Sequence, residues 1–282
     1  MTPNAKASIE SIPIFGFDNP EDIVLIPGTE WIVSAGYAHG ALRRPRSFFV
    51  NVRTHEVRPA FPGNCAFDLD RDRFGDIAPP EVISFHGLDV ALDDDGRAIL
   101  YQVNHPVVSE AGVAEGRESV EIFEIHMTPA GPTLRWRGAV TSPSWVTGND
   151  VCALPGGGFA LTNTAYRGVD AMPLLRAGHI SGHVLEWRSR DEGWRVAEGT
   201  NLNAPNGVAA SPDGQFLFVA SWATGQLHRI SRSDPHAATR TRAAKKRSLM
   251  AAAAARGRWR ACGRPAESPG TGSRPAGRSS TG

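Results

Sequence analysis

The sequence predicts an all-β fold and, within that class, a β-propeller. Three observations lead there. One pattern recurs four times, opening near residues 21, 86, 149 and 206, a period of about 60 residues that suits a multistranded repeat unit. Each copy is two short apolar runs joined by a turn rich in Gly, Asp or Pro. No convincing amphipathic helix interrupts them. A sandwich is the competing architecture, but it gives no reason for a polar pair at the same place in every copy.

The copies run from Pro20 to Ala35, Phe85 to Tyr101, Gly148 to Thr162 and Pro205 to Ala220. Their turns have a physical basis. Asp94-Asp95-Gly96 and Pro212-Asp213-Gly214 supply the positive-φ position that a tight hairpin demands. Between the copies lie further runs, Ser47–Val52, Val120–Ile125 and Gly182–Trp187, which alternate with period two and read as strands. The loop from Thr164 to Gly182 reads as a lid or substrate wall, or equally as a surface excursion.

Composition bounds the rest. The chain has 282 residues, 41% of them apolar and 21% charged. Those figures exclude a collagen-like chain, a coiled coil and a wholly disordered protein. No apolar run approaches the roughly 18 residues of a spanning helix, so no membrane span is expected. Met1 to Glu10 shows no apolar core of a secretory signal. Cys65, Cys152 and Cys262 are too few for a disulfide framework and form no C-x-x-C pair. A reduced, cytoplasmic setting is therefore expected rather than a secreted one.

The net charge of +1 hides an asymmetry. Met1 to Ile230 holds 18 Lys+Arg and 27 Asp+Glu, whereas Ser231 to Gly282 holds 12 and 2. The chain divides into an N-terminal segment (1–19), a partial propeller (20–230) and a basic low-complexity tail (231–282). The tail is rich in Ala, Arg, Gly, Pro and Ser and is expected to be disordered. Ser248 to Ala255 is at most a short, marginal helix. Basic tails bind nucleic acid by counterion release, but this one has a single aromatic residue, Trp259, and no recognisable module, so a nucleic-acid partner is not expected. Such a composition also arises when GC-rich DNA is read out of frame.

In a propeller the innermost strand of each blade begins near one end of the central channel, so the residues opening the repeats should converge there. These are Glu21-Asp22, His86, Asn149-Asp150 and Asn206. Carboxylate and amide oxygens make a hard-oxygen site of the kind Ca²⁺ takes, and a histidine adds a group titrating near neutrality. Each has a plainer reading: Asn206-Gly207 as a hairpin turn, Asn149-Asp150 as a turn, Glu21-Asp22 as a solvated strand end or cap, His86 as a satisfied buried histidine. Their recurrence at matching positions favours a shared site.

The ordered set Glu21-Asp22-Ile23, Phe85-His86-Gly87-Leu88, Val103-Asn104-His105-Pro106, Asn149-Asp150-Val151 and Ala204-Pro205-Asn206-Gly207-Val208 resembles the paraoxonase/arylesterase family. Its members are calcium-dependent six-bladed propellers that hydrolyse lactones and aryl esters; gluconolactonase-like and strictosidine-synthase-like propellers are more distant. The resemblance covers Pro20 to Ile230 and includes the gap of 19 between His86 and His105. It implies two calcium ions. Glu21, Asn149 and Asn206 would hold the catalytic one. Asp22, Asp150 and the Leu88 carbonyl would hold a deeper structural one. His86 would be the general base, with His105 relaying its proton. The implied partner is a small lactone or ester. No G-x-S-x-G nucleophile motif is present.

Departures from the family set further expectations. Its fifth repeat opens with an Asp-Asn pair that completes the catalytic site; the tail holds no such pair. About four of six blades are therefore expected, with exposed blade edges able to drive self-association. Position 164 is Thr where the family often carries an acid. The alternative to a lactonase or arylesterase is a catalytically incompetent fragment or a non-catalytic binding scaffold. His126, His179 and His183 fall outside the repeat openings.

Overall fold

The protein is described here by a computed structural model covering residues 11–38, 46–108, 113–234 and 239–242. Its strands form four blades. Blade one is β1 (Pro20–Leu25), β2 (Trp31–Gly36), β3 (Ser47–Asn51) and β4 (Val57–Phe61), paired in that order. Next come β5 (Cys65–Phe67), a single helical turn α1 (Arg71–Phe74), β6 (Phe85–Leu92), β7 (Ala98–Asn104), the small hairpin β8 (Val107–Val108) and β9 (Ala114–Glu115), then β10 (Ser119–Thr128) and β11 (Gly131–Thr141). Strands β6, β7, β10 and β11 make blade two, and β5 adds to its outer edge parallel to β11.

Blade three is β12 (Gly148–Ala153), β13 (Phe159–Asn163), β14 (His183–Trp187) and β15 (Trp194–Val196), with the short helix α2 (Met172–Ala177) between β13 and β14. Blade four is β16 (Pro205–Ala210), β17 (Phe216–Ser221), β18 (Gln226–Ser231) and β19 (Thr239–Arg242). Each repeat found in the sequence forms the inner two strands of one blade. The turn at Asp94–Gly96 closes with the Gly96 amide on the Asp93 carbonyl, and that at Pro212–Gly214 with the Gly214 amide on the Ser211 carbonyl.

The inner strands β1, β6, β12 and β16 neighbour one another in that order, and among the described residues no comparable contact joins β16 back to β1. Packing follows the same count. Phe49, Phe85, Phe123 and Trp136 centre the core between blades one and two. Val103, Ile122, Phe159 and Leu161 lie between blades two and three. Leu154, Val184, Leu217 and Ile230 lie between blades three and four. Each fully buried aromatic or aliphatic side chain contributes about 1.5–3 kcal/mol of transfer free energy, so it is the interfaces between blades that hold the arc together.

A second device joins consecutive inner strands. Asp22, Asp89 and Asp150 each accept one hydrogen bond from the backbone N–H of the following residue. The other carboxylate oxygen of each accepts from the next blade: Leu88 N at 3.0 Å, Ala153 N at 2.9 Å and Val208 N at 2.7 Å. Charge-assisted bonds of this kind are about twice as strong as neutral ones.

β18 runs on to Ser231, one residue past the boundary expected at Ile230, and Thr239–Arg242 pair with it as the outer strand. An outermost strand packs little and needs no aliphatic residues, so composition alone missed it. Arg232 also belongs to the fold. Its guanidinium grips the Glu186 carboxylate of β14 at 2.6 and 2.8 Å and donates to the Gly214 carbonyl. Residues 235–238 and 243–282 of the predicted tail, including Ser248–Ala255 and Trp259, lie outside the described residues. Among the described residues no helix is long and apolar enough to cross a membrane.

Candidate functional site

All four inner strands are irregular at the same place. The ladder slips between Pro20 and Asp22, Phe85 and Leu88, Gly148 and Val151, and Pro205 and Val208. In each case one extra residue is inserted, a β-bulge, which re-aims the side chains it carries. The residues at these slips are Glu21, His86-Gly87, Asn149-Asp150 and Asn206-Gly207. Asn206-Gly207 is thus a bulge inside β16 and not a hairpin turn, and Asn149-Asp150 likewise lies within β12.

The bulges bring three predicted residues to one point. His86 Nε2 lies 3.2 Å from Glu21 Oε1 and 3.2 Å from the Asn149 amide nitrogen. His86 Nδ1 faces His105 Nε2 at 2.9 Å, so the two predicted histidines are in direct contact. His105, at the end of β7, is buried, and its Nδ1 lies 2.9 and 3.1 Å from the two oxygens of Glu118. Glu118 is buried too. It accepts from the Gly148 backbone N–H at 2.8 Å and is paired with Arg167. Tyr37 packs its ring 4.8 Å from His86 and 5.7 Å from His105. Burial, reinforced by the charges of Glu118 and Glu21, raises the Tyr37 hydroxyl above the ordinary tyrosine range.

The other predicted residues lie beside this point. Asp22 reaches the amide of Leu88, whereas the resemblance gives a ligand role to the Leu88 carbonyl. Asp150 is buried against Gly87, where a Cβ would come within 2.4 Å of the Asp150 Cα and 2.4 Å of its Oδ1. Glycine therefore lets β6 and β12 approach closely at this point. Thr162 Oγ1 accepts from Asp150 N at 2.9 Å and donates to the Asn206 carbonyl at 2.7 Å, which ties blade three to blade four.

The donor chemistry fits a hard cation. Glu21, Asp22 and Asp150 supply carboxylates, and Asn149 and Asn206 supply amide oxygens. Among the described residues no three His, Cys, Asp or Glu side chains converge closely enough to hold a metal by themselves. Amide and carbonyl oxygens would therefore have to complete any site.

Sequence reasoning missed Glu118, Arg167 and Tyr37. None stands at a repeat opening, so the pattern that found the others could not find them. Thr164, where an acid was expected, donates its hydroxyl to the Pro205 carbonyl at 2.8 Å. His183 packs under Trp145 and Tyr166, at 5.2 and 5.6 Å, and burial lowers its pKa. The loop from Thr164 to Gly182 contains α2 and exposes Tyr166, Val169, Met172 and Ile180. Cys65 and Cys152 are free thiols, and burial pushes Cys65 up to about 11.

No family model matches the chain. It is 27% identical over 149 residues to serum paraoxonase/arylesterase 2 of dog and of human, a match covering 52% of this chain and 38% of each relative. The matched region is thus well under half the length of those relatives. A periplasmic gluconolactonase of Pseudomonas aeruginosa is similar at 13% identity and a TM-score of 0.44, over 81% of this chain and 58% of that one. Virginiamycin B lyase of Staphylococcus aureus is similar at 8% identity and a TM-score of 0.41, over 84% and 74%. The described residues thus form four blades arranged as in a β-propeller, and 149 residues of the chain are similar in sequence to serum paraoxonase/arylesterase 2.

Proposed function

We propose that the protein is a calcium-dependent hydrolase of lactones and aryl esters. The observation that carries this reading is the pair His86–His105, in contact at 2.9 Å, with His86 opening on Glu21 and Asn149. When bound, Ca²⁺ would polarise the scissile carbonyl and offset the charge of the oxyanion. Glu21, Asn149 and Asn206 would hold that ion; Asp22, Asp150 and the Leu88 carbonyl would hold a second, structural one. His86 Nε2 takes the proton of the attacking water, and its Nδ1–H shares the resulting charge with His105. The Tyr37 ring packs on His86 and meets His105 edge-on.

Purified full-length chain should hydrolyse γ- and δ-lactones and phenyl acetate, and EDTA should abolish that turnover until calcium is returned. His86→Gln should lower kcat/KM by about 100-fold or more, the usual weight of a general base. Turnover unaffected by both treatments would sink the reading. A non-catalytic calcium scaffold is the second reading, favoured by the lack of a β16-to-β1 contact comparable to those between the other inner strands among the described residues. It predicts stoichiometric calcium binding without hydrolysis of any of these esters.

A further inference from the structure

We propose that Glu118 is a positioning residue that fixes the direction of the hydrogen bonds through both histidines. The inference rests on the hydrolase reading for its purpose but not for its geometry. Glu118 is a carboxylate whose two oxygens already accept from Gly148 N and Arg167. Arg167 balances its charge, so His105 need not be cationic to sit beside it. Facing an acceptor at 2.9 Å, His105 must carry its proton on Nδ1. Its Nε2 is then bare and can only accept, so His86 must present Nδ1–H across the 2.9 Å contact. The order is fixed from Glu118 outward, and it holds whether or not His86 Nε2 carries a proton. His86 Nε2 is the ring nitrogen of the pair turned toward Glu21 and Asn149.

A second consequence concerns shape. Glu118 immediately precedes β10, the third strand of blade two, yet it holds the amide of Gly148, the first residue of β12. The carboxylate that orients His105 therefore also sets the strand end that carries Asn149.

The test is a long-range ¹H–¹⁵N correlation spectrum of histidine-labelled full-length protein, with His105 and His86 assigned by loss of their signals in His105→Gln and His86→Gln. Wild-type His105 should show the pattern of a neutral ring protonated on Nδ1. A ring protonated on Nε2, or on both nitrogens, would overturn the proposal, and this measurement needs no Glu118 variant to fold. In Glu118→Leu no acceptor faces His105 Nδ1, and the uniform Nδ1–H form of His105 should be lost. If turnover is present, kcat should fall about 10- to 100-fold with KM within about twofold. Full retention of the wild-type tautomer in Glu118→Leu would also overturn it. A wild-type chain with the expected tautomer and no esterase activity would discard the hydrolase reading while supporting the Glu118 assignment.

Discussion

Gly87→Ala should destabilise the protein by about 3 kcal/mol or more, at the upper end of the range for overpacked sites. The added methyl would lie 2.4 Å from the Cα of Asp150 and 2.6 Å from the carbonyl oxygen of Asn149. Both are backbone atoms of an inner strand, so no rotamer change can relieve the clash. Relief requires β6 and β12 to separate, which would lengthen the contacts of Asp89 with Ala153 N and of Asn149 with His86. Thermal melting followed by circular dichroism should show a drop of roughly 10 °C, given about 2–4 °C per kcal/mol for a domain of this size. Gly207→Ala is the matched control. A Cβ there meets nothing nearer than 3.8 Å and should shift the midpoint little. Equal effects at the two positions would show that packing against Asp150 is not the cause.

Removing the Arg232 guanidinium should cost about 3 kcal/mol, because it leaves a buried carboxylate short of its main partner. The Glu186 side chain is only 4% exposed and that of Arg232 16%, and the grip is bidentate. Arg195 also reaches Glu186, but its side chain is 54% exposed and is a weaker partner. Arg232→Met keeps most of the apolar stem and isolates the loss of charge. Urea denaturation should show a lower midpoint with an unchanged slope. A midpoint within error of wild type would mean that the Arg232–Glu186 pair contributes nothing to stability.

The same pair sets an acid limit. Burial alone would raise the Glu186 pKa, but hydrogen bonds and charge from Arg232 and Arg195 outweigh it and hold it below the ordinary glutamate value. A depressed folded-state pKa stabilises the fold above the unfolded pKa of about 4.5 and loses that stabilisation as pH falls through the folded value. The wild type should therefore lose stability below about pH 4.5, and Arg232→Met should show a shallower loss over the same range.

Much of the fold was legible because it repeats. A polar opening, an apolar strand, a Gly or Asp turn and a second strand recur at 21, 86, 149 and 206, and each copy became the inner hairpin of a blade. Glu21, His86 and Asn149 were legible for the same reason, since repetition lifts a residue above its plainer reading. Glu118 and Tyr37 carried no such mark. One immediately precedes a third strand and the other follows a second strand, and only the closing of blades one to three around the axis brings them to the histidines. The strand Thr239–Arg242 was hidden for another reason: Thr-Arg-Thr-Arg does alternate, but its charge and lack of aliphatic residues read as tail.

The forward-reaching carboxylates of Asp22, Asp89 and Asp150 have a mechanical consequence. All three bind main-chain atoms of the next inner strand, close to the axis, where blades meet on a short radius. A rotation of one blade against the next then pivots at these points, moving the rim by several times as much as the hub. Breathing of the arc would open the outer strands first while leaving the hub distances nearly unchanged. Hydrogen exchange should follow that lever: the amides of Leu88, Ala153 and Val208 should be among the last to exchange, and those of β15 and β19 among the first. The hub stays a fixed bearing around which the periphery is free to flex.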